Sequence, residues 1–451
     1  MTQPYPRMAT HERTGGLPAA HPRSRYWIHE PGVVYLNHGS FGGCPAAVLE
    51  TQAAWRARLE GEPVRFFVED LFDLFDWARE DTARFLGCDP AGLVFVPNAT
   101  TGVATAIHNL IASGQASAGD ELLVTDHEYK ACVNNARQMA QNAGLSVVVA
   151  ELPFPDPTPS SVLEAVLGAV TPRTRIALVS QITSVSGMLL PAHDLVRELE
   201  SRGVRVVLDG AHAPGHVRMG VDELGASYYT ANLHKWVCSP KGSAVLHAHA
   251  DQRERCRPMI LSNMANSPMP GRSHLHTEFD YVGTADPTAV LCVPAALRIM
   301  ASIARGEPPK RGLPEAFNTR VGVDALDNAW AAIRAQNRSL ALRAQALICE
   351  RLGVGPPVPP GMTACLAMIG LPNLGDAGWA QMATRPARYD DPMQDRLVDR
   401  WGVQVPIVHP SGGSRSRCVR VSAQLYNSLA QCDYLADALA AELENERNEQ
   451  G

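Results

Sequence analysis

Between residues 92 and 248 the chain alternates short apolar runs with longer stretches of helical periodicity. This alternation limits the fold more than any other feature. The runs fall at 92–96, 121–124, 146–149, 175–180, 204–208 and 242–247. Several lack the polar/apolar alternation of a half-exposed strand, so they read as strands covered on both faces. Helical patterns lie around them at 45–59, 68–86, 103–111, 160–170, 192–201 and 288–303. Strand, helix, strand in this order predicts an α/β fold with a mostly parallel sheet and helices on both faces.

At 451 residues the chain exceeds one ordinary core. The turn-rich stretch 306–312 marks the expected boundary. A large domain is predicted over 45–304 and a small α+β domain over 305–451. The small domain carries a helical pattern at 323–352, strand-like runs at 364–369, 403–408 and 417–422, and a closing helix at 430–443. Residues 1–44 form an N-terminal segment, loosely ordered at first and then packing with the small domain. Hydrophobic residues make up 45% and charged residues 19%, as in a soluble globular protein. The net charge of -6 and the lack of a basic run exclude a nucleic-acid footprint. No apolar run approaches the ~20 residues that span a bilayer. The polar first thirty residues lack the apolar centre of a signal peptide. Ten dispersed cysteines without a C-x-x-C pair argue against a metal ribbon. A cytoplasmic protein without a metal or a membrane partner is expected.

Two charged residues then stand out. Asp209 ends an apolar run, where sheets of this kind hold ligands. Lys235 lies in a short stretch of apolar and aromatic residues, Tyr228 to Trp236. A lysine removed from solvent loses its proton readily and becomes a nucleophile toward carbonyls. A pocket carboxylate can hold a protonated ring nitrogen. Pyridoxal phosphate asks for these two groups. A third reading comes from residues 92–111, where a strand, a small polar turn and a helix follow one another. That order suits a phosphate on free N–H groups, with the hydroxyls of Thr100 and Thr101 as further donors; a plain helix cap is the alternative. Arg420, on a late strand-like run, offers the planar fork that grips a carboxylate.

The order Asp209-Gly210-Ala211-His212, then His234-Lys235-Trp236, resembles the class V aminotransferase family within fold type I of the pyridoxal phosphate enzymes. The nearest likeness is to the branch of isopenicillin N epimerase and carbon–sulfur lyases, over about residues 35–426. The resemblance implies a seven-stranded, mostly parallel sheet and a bound pyridoxal 5'-phosphate. It implies that Lys235 carries the cofactor and that Asp209 faces the ring nitrogen. His127 would stack on the ring, with Tyr129 as the other aromatic available for stacking or for the substrate. Thr183 and His212 would approach the phenolic oxygen. Thr100, Thr101, Asn232 and His234 would lie near the phosphate, although the family often has Ser where Asn232 stands. Gly283-Thr284 would reach the neighbouring site of a homodimer. Arg420 would hold the substrate carboxylate, and His38, Ser40 and Arg65 would face the substrate.

Which reaction follows is not written in these residues. Carbon–sulfur β-elimination from an S-substituted cysteine ranks first, because it needs one base and a good leaving group. Epimerisation, transamination and decarboxylating oxidative deamination remain open. A non-catalytic cofactor-binding regulator is the alternative of another class.

Overall fold

A computed structural model describes residues 16–313, 323–385, 387–410 and 416–450. The central sheet holds seven strands: β2 (Leu93–Val96), β3 (Glu121–Thr125), β4 (Ser146–Ala150), β5 (Thr174–Ser180), β6 (Arg205–Asp209), β7 (Tyr228–Asn232) and β8 (Ala244–Ala248). Their order across the sheet is β2-β8-β7-β6-β5-β3-β4. All neighbours run parallel except at β8, which is antiparallel to both β7 and β2. Two apolar clusters cover the two faces. Leu93–Val96 and β6 through β8 are buried along nearly their whole length, which explains their continuous apolar character. β4 lies at the edge and is half exposed.

The strand β7 lies where the sequence pattern predicts none, in the stretch Tyr228 to Trp236. It is fully buried, and Tyr228 and Tyr229 pack on opposite faces. Tertiary packing thus decides a segment whose composition is ambiguous. The gap between the helical patterns at 45–59 and 68–86 is also narrower than the sequence predicts. Glu62 ends the helix Ala46–Gly61 with φ -144°, but helical structure resumes at once with Pro63–Arg65, a π-turn at Phe66–Asp70, and Leu71–Leu86. Proline suits this first helical position.

The second unit contains the helices Val323–Leu352 and Leu429–Gln450. They pack on an antiparallel sheet of β9 (Leu366–Gly370), β12 (Cys418–Ser422) and β11 (Ile407–Val408). Two helices here, Gly375–Thr384 and Pro392–Trp401, were not foreseen. The run at 403–408 is split. Its first half, β10 (Val403–Gln404), leaves that sheet and pairs in parallel with β1 (Val34–Tyr35). Val34 and Leu36 enter the apolar cluster of this unit, so the N-terminal segment is stitched into it. Helix Val293–Arg305 runs through the core of the large unit; its window Thr288–Arg305 is apolar enough to cross a membrane but is 78% buried here.

Candidate active site

The carboxyl ends of β3, β5, β6 and β7 converge where the strand order reverses, the usual place for a ligand in such sheets. Asp209 is the last residue of β6, and Lys235 follows β7 by three residues. Lys235 Nζ lies 3.0 Å from His212 Nε2. Burial, with the nearby Arg420 guanidinium, lowers the lysine to about 8. The neutral amine is therefore far more populated near physiological pH than for an exposed lysine. Asp209 is buried; its Oδ1 accepts from the Ala211 N–H at 2.8 Å and its Oδ2 meets only the Cys132 thiol at 3.6 Å. Burial raises its pKa, opposed by Lys235. One carboxylate oxygen is thus weakly engaged.

The loop carrying Lys235 is held on both sides by glycines. A Cβ on Gly42, at φ +70°, would stand 2.0 Å from the His234 carbonyl oxygen. A Cβ on Gly215, at φ +82°, would stand 2.7 Å from the Trp236 carbonyl oxygen. Any side chain at either position would push the loop away. Cys238, with φ 61°, closes the turn by donating its N–H to the Lys235 carbonyl at 3.0 Å.

His38 does not offer a free nitrogen to a substrate, contrary to expectation. It is fully buried, and burial lowers it to about 3. Its Nε2 donates to the Lys235 carbonyl at 3.1 Å, and its Nδ1 accepts from the Tyr426 hydroxyl at 2.8 Å and the Gly43 N–H at 3.2 Å. It therefore braces the lysine loop. Ser40 does meet Arg420: its Oγ accepts from a guanidinium nitrogen at 3.1 Å. Arg420 also donates to the Ser184 carbonyl. Its Nε has no hydrogen-bond partner, and among the described residues no carboxylate pairs with it, although it is 5% exposed. Burial lowers it to about 10. Arg65 stays outside this cluster. It is exposed and pairs with Glu62 and Glu69 on its own helix turn, so within one chain the expectation for Arg65 fails.

Helix Ala99–Ala112 begins beside β7. Asn98 caps it by accepting from the Thr101 N–H, and Asn232 Oδ1 accepts from the Ala99 N–H at 2.9 Å. Asn232 is thus spent on placing the helix start. The Thr101 hydroxyl donates to Asn98, and Thr100 is half-buried. His234 Nδ1 donates to the Ser243 carbonyl at 3.1 Å, and burial lowers it to about 4. His127 is fully buried: Nδ1 meets Ser186 Oγ at 2.7 Å, while Nε2 has no hydrogen-bond partner and stands 4.0 Å from Asp126. Thr183 does not keep a free hydroxyl; it accepts from the Met188 N–H and meets Ser186, supporting His127 at one remove. Tyr129 is 47% exposed, and Thr284 is exposed beside Tyr281.

Four contributors escaped the sequence reading. Glu128 is buried behind Asp209, accepts from Ser180 and Thr125, and is pushed by burial up to about 8. Cys132 touches Asp209. Trp236 donates to His212 Nδ1 at 3.4 Å, and His216 Nδ1 donates to the His212 carbonyl at 3.1 Å. Glu128 and Trp236 each adjoin a residue singled out by sequence, and that adjacency was the available signal.

Comparison with known proteins gives the family and the fold. The family model described as aminotransferase class-V matches residues 40–311. An isopenicillin N epimerase from Amycolatopsis lactamdurans is 30% identical, covering 91% of this chain and 95% of that protein. An L-cysteine desulfhydrase from Arabidopsis thaliana is 26% identical, covering 92% and 89%. The apo structure of a cysteine desulfurase from Thermococcus onnurineus superposes with a TM-score of 0.70 at 15% identity, over 95% of this chain and 100% of that one, a likeness of fold. The chain belongs to the class V aminotransferase family.

Proposed function

We propose that this protein binds pyridoxal phosphate at Lys235 and breaks the carbon–sulfur bond of a cysteine-class amino acid. The observation that carries the reading is Arg420. A buried guanidinium without a carboxylate is unfavourable unless a ligand supplies one. It lies close enough to Lys235 to depress the lysine's pKa. A substrate that brings a carboxylate to the arginine also brings its α-carbon toward the amine.

The residues fit the cofactor. Asp209 has a weakly engaged oxygen for a ring N–H, and burial makes it a strong partner for that proton. At the start of helix Ala99–Ala112, Thr100 is the residue that suits a phosphate, because the Ala99 N–H donates to Asn232 and the Thr101 N–H and hydroxyl donate to Asn98. His127 presents a flat ring, and His212 and His234 flank the lysine. When bound, pyridoxal phosphate supplies an electron sink at the α-carbon. The protein's own part is to hold and move protons. Lys235, as a neutral amine, takes the α-proton onto Nζ. Arg420, held by Ser40, fixes the carboxylate, which orients the bonds at the α-carbon. Buried walls around Asp209 and His212 exclude water.

The exposed Gly283-Thr284 segment is proposed to complete the site of a second copy. Exposed Phe41, Val64, Val68 and Ile260 fit an apolar interface of such a homodimer. Ten free cysteines suit a cytoplasmic setting. Epimerisation has one observation in its favour: the unpartnered Nε2 of His127 provides a second proton carrier. The test is mass spectrometry of cysteine and S-substituted cysteines incubated with the holoenzyme in deuterated water. Lyase activity yields pyruvate, ammonia and a free sulfur fragment. Recovered substrate with inverted configuration and α-deuterium, without pyruvate, overturns the lyase in favour of the epimerase. Borohydride labelling at a lysine other than Lys235 overturns the site.

A further inference from the structure

We propose that Trp236 is a positioning residue that fixes His212 in the tautomer with its proton on Nε2, so that His212 offers an N–H to Lys235 Nζ and holds it as a neutral amine. The inference rests on the reading of Lys235 as the cofactor lysine. Its basis is a hydrogen bond whose donor can only be the indole, beside a His212–Lys235 contact whose direction then follows from it.

An indole nitrogen can only donate. Trp236 Nε1 points at His212 Nδ1 at 3.4 Å, so that nitrogen must carry the lone pair. A neutral imidazole with its lone pair on Nδ1 has its proton on Nε2. His212 is neutral, because burial and the neighbouring Lys235 hold its pKa well below the ordinary value. Its Nε2 faces Lys235 Nζ at 3.0 Å. An ammonium has three donors and no acceptor, so it cannot receive that N–H; an uncharged amine can. The contact therefore favours the form of Lys235 that attacks a carbonyl.

The arrangement is rigid. Trp236 is fully buried, its ring 4.2 Å from His216 and 5.0 Å from His38. Gly215 presses on its carbonyl. His216 accepts from the Cys365 N–H on Nε2 and donates from Nδ1 to the His212 carbonyl, which fixes the backbone of His212. His38 is likewise locked by the Lys235 carbonyl and the Gly43 N–H. Backbone groups dictate the protons of those two rings. For His212 the indole does so. The remaining titratable groups facing the pair are Arg420, which disfavours an ammonium, and Asp209 and Cys132, which favour one. Toward a bound cofactor, the same N–H of His212 would be offered as a donor.

Cofactor-free protein tests this in two ways. Nitrogen-15 spectra of labelled histidine, with the His212 signal identified by its loss in His212→Gln, should show the proton on Nε2 in the wild type. Trp236→Phe should turn that signal into a mixture of tautomers. The second readout is covalent capture of pyridoxal phosphate, in which amine and aldehyde join with loss of water, followed at the visible band across pH. The wild-type rate should rise through about pH 8. In Trp236→Phe, His212 can turn a lone pair toward the lysine and stabilise its ammonium. The midpoint should then move up by about one unit, slowing capture at pH 7 about tenfold. A glutamine amide needs no tautomer, so in a His212→Gln background the Trp236→Phe change should no longer move the midpoint. A wild-type His212 with its proton on Nδ1 overturns the proposal. So does an unchanged midpoint in Trp236→Phe, or the same shift in the double variant. Should Trp236→Phe fail to fold, the wild-type spectrum still decides. Failure of the wild type to capture the cofactor at all sinks the reading of Lys235 instead, and leaves the tautomer measurement standing.

Discussion

Arg417 and Arg420 lie three residues apart, one just before and one within β12, the central strand of the small sheet, and both are almost fully buried. Their surroundings are opposite. Arg417 donates to both oxygens of Asp391 at 2.6 and 2.7 Å and to both oxygens of Glu446 at 2.9 and 2.7 Å. Its pKa is raised well above the ordinary value by these two carboxylates, against the effect of burial. Among the described residues Arg420 has a hydroxyl and a carbonyl as partners, and burial lowers its pKa. One arginine has been neutralised by the fold. The other keeps an unmet demand for an anion, in the place where Lys235 waits. A buried charge is informative for what surrounds it rather than for its depth.

Replacing each arginine by methionine should separate these roles. Arg417→Met strands Asp391 and Glu446, and Asp391 also caps the helix Pro392–Trp401. Breaking a buried pair by removing one partner costs about 3–5 kcal/mol. Chemical denaturation should show that loss, while kcat/KM per folded molecule stays within about twofold. Arg420→Met should do the reverse. Its loss of two charge-assisted hydrogen bonds to substrate should lower kcat/KM on the order of 10²- to 10³-fold. Stability should hold within about 1 kcal/mol or rise, because an unpaired buried cation is removed. A stable but inactive Arg417→Met, beside an active Arg420→Met, would invert the comparison and make Arg417 the anchor.

The two arginines also mark the limit of what the sequence can say. Both stand in one run, 417–422, and pattern alone ranks them equally. The partners that distinguish them come from residues as distant as Asp391, Glu446, Ser40 and Ser184. The central sheet was legible because fully apolar runs separated by helical periods leave few alternatives. Asp209 stood out because it ends such a run, and Lys235 because it is a lone charge in a stretch of apolar and aromatic residues. His38 and Thr183 were located as residues, but their polar atoms are engaged: His38 by Tyr426 and the Lys235 carbonyl, which are distant in sequence, and Thr183 by Ser186 and Met188 of its own turn, a local contact that composition does not reveal. The tyrosines of β7 were misread because burial on both faces overrides composition. Arg65 was placed by resemblance alone, and its own turn claims it through Glu62 and Glu69.

Ser40 gives the finest test of the contrast. Its Oγ accepts from Arg420 and donates to Asn37 Oδ1, so the hydroxyl ties the guanidinium to the turn that braces Lys235. Arg417 has no such hydroxyl; its two carboxylates hold it. Ser40→Ala leaves Arg420 with the Ser184 carbonyl as its remaining partner and frees one more donor for a ligand carboxylate. Two effects then compete. A guanidinium less well held loses orientation, and one with fewer partners binds an anion more strongly. The orienting effect should win, because the fork must meet both carboxylate oxygens at once. A single hydrogen bond of this kind is worth about 1 kcal/mol, so kcat/KM should fall about fivefold. A simple carboxylate such as acetate, which does not depend on α-carbon alignment, should inhibit the variant at least as strongly as it inhibits the wild type. If acetate inhibition weakens in parallel with kcat/KM, Ser40 contributes to anion affinity rather than orientation. If neither changes, Arg420 is held by its backbone partner alone.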